Sequence, residues 1–230
     1  MMRKISIILS LLLSAVLAVA VFKIVQTINI QQKEKEDFQI IAELVNTPII
    51  PDETISTEET NEKKPETEST RNIAPVLEQN ADCIGWIFID GTNINYPVMH
   101  TPDNPQKYLR LSFEKKYSQS GVPFLDGRCS LQDGNLIIYG HNMKNGTMFS
   151  DLKKYLDTDF REAHKTIEFQ TADGVFLFEV TNVIRTNISD ERYNQINSTD
   201  GRILALSTCY GSAKSDRLLI IAKEVTTYYG

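Results

Sequence analysis

Cysteine is scarce in this 230-residue chain, which has only Cys83, Cys129 and Cys209. Three thiols are too few for a disulfide scaffold. None stands in a CxxC or Cys/His ligand spacing, so no structural zinc is expected. The odd count leaves at least one thiol unpaired or reactive in an exported protein. A Cys83–Cys129 bridge would make Cys209 that one, and spacing alone does not decide whether the two come close enough. Positive charge is also in deficit: 24 Lys and Arg face 30 Asp and Glu, a net charge of −6. No basic face suggests nucleic acid. The excess acid is local, because residues 51–70 hold Asp52, Glu53, Glu58, Glu59, Glu62, Glu66 and Glu68 against Lys63 and Lys64. No internal repeat is present.

One long apolar run does occur. Arg3 and Lys4 precede an uncharged segment from Ile5 to Phe22 that is apolar apart from Ser6, Ser10 and Ser14, followed by Lys23, Ile24 and Val25. At 1.5 Å per residue it reaches about 27 Å, close to the thickness of a bilayer core. Ala18-Val19-Ala20 has the small-x-small form of a signal-peptidase site, so a cleaved signal peptide is the alternative to a retained anchor. Continuation of the run past that site favours the anchor. The basic residues at the short end predict a cytoplasmic N-terminus and an extracellular remainder.

Residues 1–26 are thus expected to form a transmembrane anchor or signal peptide. Residues 27–71 are read as a membrane-proximal helix, with Phe38, Ile41, Leu44 and Val45 on one face, and then an acidic flexible linker. The linker, rich in Thr, Glu, Ser and Pro, has too little apolar content to offset the cost of ordering and is read as a tether between membrane and domain.

Residues 72–230 read as a folded domain. After one short helix around Ile73, Val76 and Leu77, candidate strands cover Trp86–Asp90, Ile94–Val98, Val122–Leu125, Leu136–Tyr139, Thr166–Gln170, Val175–Arg185, Ile203–Thr208 and Leu218–Val225. Gly91-Thr92 and Asp173-Gly174 mark turns, and Pro97 places its strand at an edge or end. Phe149, Leu152, Tyr155 and Leu156 recur at helical spacing within Met148–Leu156. Many short strands with few helices predict a mostly β fold, a closed barrel or sandwich.

The chemistry concentrates at strand ends. Ala205-Leu206-Ser207-Thr208-Cys209 is an apolar strand ending in a thiol, and Arg217 opens the next apolar run. A thiol attacks as a thiolate and needs a nearby cation or base. His141 leaves the strand Leu136–Tyr139 through Gly140, an active-site position. His100 and His164 lie in less telling contexts. Taken singly, a strand cysteine is usually an inert core residue and a strand arginine a solvated charge, so the combination carries the reading.

Tyr139-Gly140-His141-Asn142, Leu206-Ser207-Thr208-Cys209 and Arg217 together resemble the three signatures of sortases, the cysteine transpeptidases of Gram-positive surfaces. Asp82-Cys83-Ile84-Gly85-Trp86, Gly91-Thr92 with Tyr96-Pro97-Val98, Asp103-Asn104 with Tyr108-Leu109, and Met148-Phe149 with Leu152 and Tyr155 resemble class B in particular. The resemblance runs from about Asn80 to Lys223 and implies a closed sortase-like β-barrel with a few short helices. The chain departs from the family at Ala205, where leucine-preceding threonine is usual, and in a short segment between Thr186 and Ile203.

The resemblance further implies a substrate ending in an LPxTG-like or NPxTN-like sorting signal. Cys209 would be the nucleophile, His141 the acid and base, and Arg217 the oxyanion partner. Asn104, Leu109, Tyr193 and Ser207 would line the groove, and the Tyr210 backbone N–H would be a second oxyanion donor. The acceptor would be an amine of a peptidoglycan precursor or a pilin, with no metal or organic cofactor required. Two other readings remain at this stage: an extracellular cysteine peptidase that uses water as acceptor, and a non-catalytic surface barrel.

Overall fold

No glycine or proline occurs before Pro48, and the chain there forms a single helix, α1 (Met2–Val45). The computed structural model describes residues 2–46, 71–195 and 201–229. The predicted anchor and membrane-proximal helix are therefore one element, since nothing between them breaks the ladder. Its 44 residues extend about 66 Å. The run Ser10–Val45 contains a window of mean hydropathy 2.2 that buries nothing against the rest of the chain. By length and composition this helix can cross a membrane.

The other end of α1 is docked. Phe38, Ile41 and Val45 are buried, whereas Leu44 of the predicted face is exposed. Phe38 meets the Tyr96 ring edge-on, with centroids 5.4 Å apart. The predicted acidic linker lies outside the described residues, but its flanks do not. The Asn72 N–H donates to the Val45 carbonyl at 2.7 Å. The described residues on either side of the linker thus meet, and α1 packs directly on the domain.

Helix α2 (Ala74–Gln79) leads into eight strands. They are β1 (Cys83–Phe88), β2 (Asn95–Met99), β3 (Phe124–Leu125), β4 (Asn135–Tyr139), β5 (Thr166–Thr171), β6 (Gly174–Asn187), β7 (Ile203–Cys209) and β8 (Asp216–Tyr229). They close into a barrel in the order β1-β2-β3-β4-β7-β8-β6-β5, with β5 returning to β1. Trp86, Ile87, Leu136, Phe169, Phe178, Leu206 and Ile220 belong to one buried hydrophobic core. Each such side chain contributes about 1.5–3 kcal/mol of burial free energy. Pro97 is tolerated because β2 pairs fully with β1 and meets β3 only at Met99.

The predicted helix over Met148–Leu156 is a 3-10 helix, Phe149–Leu156, followed by an unpredicted α-helix, α3 (Thr158–Ala163). The Asp157 side chain caps α3 by accepting from the Phe160 N–H at 2.9 Å. Cys83 and Cys129 are both free and buried, and burial pushes each thiol up to about 11.

Two pairings position everything that follows. β4 and β7 run parallel, with Tyr139 opposite Ser207, so both strands leave the barrel side by side at the same end. β7 and β8 run antiparallel, which brings the start of β8 to that end as well.

Candidate active site

Just past the paired ends of β4 and β7, the backbone remains knitted together. The Gly140 N–H donates to the Ser207 carbonyl at 3.1 Å, the Thr208 hydroxyl to the Gly140 carbonyl at 2.8 Å, and the Asn142 amide to the Cys209 carbonyl at 2.9 Å. His141 and Cys209 are therefore held as neighbours on adjacent chain exits. A β-carbon on Gly140 would lie 2.5 Å from the Phe149 ring, so only glycine lets that ring close over the exit.

A groove of about 500 Å³ opens there, lined by His141, Cys209 and Arg217 among others. Leu109, Tyr193 and Ser207 also line it. Cys209 is the exposed thiol of the three. Arg217 is its direct partner in the β7–β8 ladder, and one guanidinium nitrogen, Nη1, is fixed by the carbonyls of Lys214 and Asp216.

The His141 ring is half-buried, and its Nε2 lies 3.0 Å from the Leu109 carbonyl. A carbonyl only accepts, so Nε2 carries the hydrogen and Nδ1 is the nitrogen left to exchange a proton. Burial lowers the ring below its ordinary value, with the Leu109 carbonyl partly opposing this and Arg110 adding to it.

Two predicted residues are not in this groove. Asn104 is exposed in the preceding turn, outside the lining, where Pro105 and Gln106 stand instead. The Tyr210 N–H is not available to an oxyanion, because the ladder continues one residue beyond Cys209 and that N–H donates to the Asp216 carbonyl at 3.1 Å.

A polar network under the groove went unread in the sequence. Asp126 receives Arg128 through Nε at 2.9 Å and Nη2 at 2.8 Å, together with the Tyr139 hydroxyl at 2.8 Å. Burial alone would raise the Asp126 carboxyl, but the Arg128 bonds and then the Tyr139 bond outweigh it and hold it below the usual range. Arg128 also donates to the Tyr193 carbonyl at 2.8 Å. Tyr193 stacks on Tyr139 and shares a 2.8 Å hydrogen bond with the Ser207 hydroxyl. The 3-10 turn Glu191–Asn194 is thereby pinned over β7. Nothing in Asp126-Gly127-Arg128 as a sequence points to the network, because Tyr139 and Tyr193 lie 13 and 65 residues from their partners.

Comparison with known proteins agrees with this architecture. Residues 87–225 match the sortase domain family. The chain is 30% identical to sortase B of Staphylococcus aureus over 97% of its own length and 98% of that protein. The crystal structure of Clostridium perfringens sortase B superposes with a TM-score of 0.58 at 30% identity, covering 67% of this chain and 100% of the other. A Staphylococcus aureus sortase B–substrate complex gives 0.58 at 32% identity, covering 66% and 83%. The chain belongs to the sortase family of cysteine transpeptidases. Within that family it is a class B sortase.

Proposed function

We propose that Cys209, His141 and Arg217 carry out the transpeptidation. The reading rests on the convergence of these three side chains at one groove, from the ends of β4, β7 and β8. The Cys209 thiolate attacks the carbonyl carbon of a sorting-signal threonine, forming the C–S bond, and Arg217 meets the charge that develops on the oxygen. As the C–N bond breaks, the protonated His141 ring gives its Nδ1 proton to the leaving amine. The incoming amine then attacks the thioester and returns a proton to Nδ1, and the thiolate departs.

Leu109, Tyr193 and Ser207 form the wall against which an LPxTG-like or NPxTN-like signal lies. One solved structure similar to this chain is a Staphylococcus aureus sortase B–substrate complex, which supports a substrate-binding role for the groove. The acceptor is an amine of a peptidoglycan precursor or a pilin. Residues 72–230 are the catalytic domain, and α1 is a retained single-pass anchor with its N-terminus in the cytoplasm and the barrel outside. Such anchoring concentrates the enzyme with membrane-held substrates on one surface.

The test is mass spectrometry of the full chain in detergent, incubated with a panel of sorting peptides with and without amine. A thioester on Cys209 that is converted to amide product supports the proposal. Hydrolysis alone at every amine concentration makes the enzyme a peptidase, and no adduct at all leaves a non-catalytic barrel.

A further inference from the structure

The polar surface of α1 makes one concentrated contact with the barrel. The Glu34 carboxylate accepts from the Gln119 N–H at 2.8 Å, the Ser120 N–H at 3.3 Å and the Ser120 hydroxyl at 2.5 Å. A carboxylate gathering three donors, two of them backbone, is a strong charge-assisted clamp. Ser120 is 2% exposed, so its hydroxyl would lose its acceptor at a cost if the carboxylate withdrew, while its N–H would keep the Ser118 hydroxyl at 3.1 Å.

The clamped turn sits directly on the residue that orients the catalytic ring. Its two ends grip both neighbours of Leu109: the Val122 N–H donates to the Tyr108 carbonyl at 3.0 Å and the Ser118 N–H to the Arg110 carbonyl at 3.0 Å. Arg110 Nη1 returns a bond to the Gln119 carbonyl at 3.2 Å. Gly121, at φ 61°, packs so close that a β-carbon would lie 2.5 Å from the Tyr108 carbonyl oxygen and 2.8 Å from that of Leu109. The Leu109 carbonyl is the one that accepts from His141 Nε2.

We propose that Glu34, on the helix that can cross the membrane, is a positioning residue of the active site: it holds the 118–121 turn against Leu109, and the Leu109 carbonyl fixes the direction of the His141 ring. The anchor helix is then part of the catalytic unit. The inference rests on His141 being the acid and base of the reaction. Glu34 touches neither substrate nor thiol and acts through the Leu109 carbonyl on the His141 ring; because Leu109 also lines the groove, kcat should fall by more than KM rises. A catalytic group that drifts by an ångström costs on the order of a hundredfold in rate, and a loosened turn should cost less.

The experiment uses the full chain in detergent micelles, comparing Glu34→Ala, Glu34→Gln and Ser120→Ala with wild type. Glu34→Ala is expected to lower kcat roughly tenfold with KM little changed. Glu34→Gln, which keeps an acceptor oxygen, should recover part of the loss. Ser120→Ala removes one donor and should shift the same way by less, which keeps the test open if Glu34→Ala folds poorly. Nitrogen-15 NMR of histidine-labelled protein should show the neutral His141 ring losing its preference for hydrogen on Nε2 in Glu34→Ala. His141→Ala, run alongside, assigns that signal and tests the underlying reading separately. An active His141→Ala sinks the reading of the site. A dead His141→Ala together with wild-type kcat and tautomer ratio in Glu34→Ala, whatever its melting temperature, overturns the positioning role alone.

Discussion

Cys209 and Arg217 face each other across the β7–β8 ladder as direct partners. Side chains of directly opposed residues in an antiparallel pair point to the same face, with β-carbons about 4.5–5.5 Å apart. Strand register therefore starts both side chains from one place on the same face, and both line the groove.

Removing the guanidinium tests its worth. Arg217→Ala should lower kcat by about two to three orders of magnitude, as loss of an oxyanion donor does. Arg217→Lys should recover little, because one ammonium lacks the planar fork that now spans the Lys214 and Asp216 carbonyls and the groove. Steady-state kinetics with a quenched fluorescent sorting peptide measures both. Cys209→Ala should show no acyl-enzyme at all.

The pH profile follows from the burial of His141. The doubly protonated thiol and imidazole must lose one proton before a thiolate can form, and burial favours its loss from the ring below the ordinary value of 6.5. The ascending limb of kcat/KM should therefore lie below pH 6.5. An ascending midpoint above pH 7 would contradict a buried, desolvated imidazole.

Gly140→Ala should damage both stability and rate. The new methyl lies 2.5 Å from Phe149 Cγ, and overpacking of this kind costs about 1–3 kcal/mol. The Phe149 N–H is bonded to the His141 carbonyl at 2.9 Å, so displacing Phe149 displaces the ring's own backbone. Thermal melts and kcat should fall together.

Asp82 governs acid stability near α2. A hydrogen bond from Lys107 at 2.7 Å, then one from the Tyr108 hydroxyl, lowers its carboxyl from 3.8 to about 2. A depressed carboxyl contributes stability that is complete above the unfolded value and is lost as pH falls from there through the folded one. Wild type should lose on the order of 1–2 kcal/mol between pH 5 and pH 2 from this group, discounted for partial exposure. Asp82→Asn should be less stable at pH 5 and show a shallower decline, read by denaturant melts at each pH.

Much of this fold was legible because it is written locally. The apolar runs of β4, β7 and β8, the alternation in β5 and the start of β6, and the Asp173-Gly174 turn give the strands to within a few residues at either end. The 3-10 character of Phe149–Leu156 was hidden because i and i+3 apolar positions fit both helix types. The Phe38, Ile41 and Val45 face was visible as a stripe, but its cover, Tyr96, stands far along the chain. Nothing local marks Glu34, because its partners are 85 and 86 residues away. The Tyr210 N–H was misjudged because a ladder's last hydrogen bond is set by where its partner strand begins, which residue types do not reveal.

The meeting of Val45 and Asn72 separates chain length from reach. With α1 as the proposed anchor, lengthening or shortening the acidic stretch between them would leave the groove at the same height above the bilayer. One added helical turn between Phe22 and Glu34 would raise it by about 5.4 Å. The helix acts as the gauge, and the segment that looked like the spacer is free to vary in length and charge.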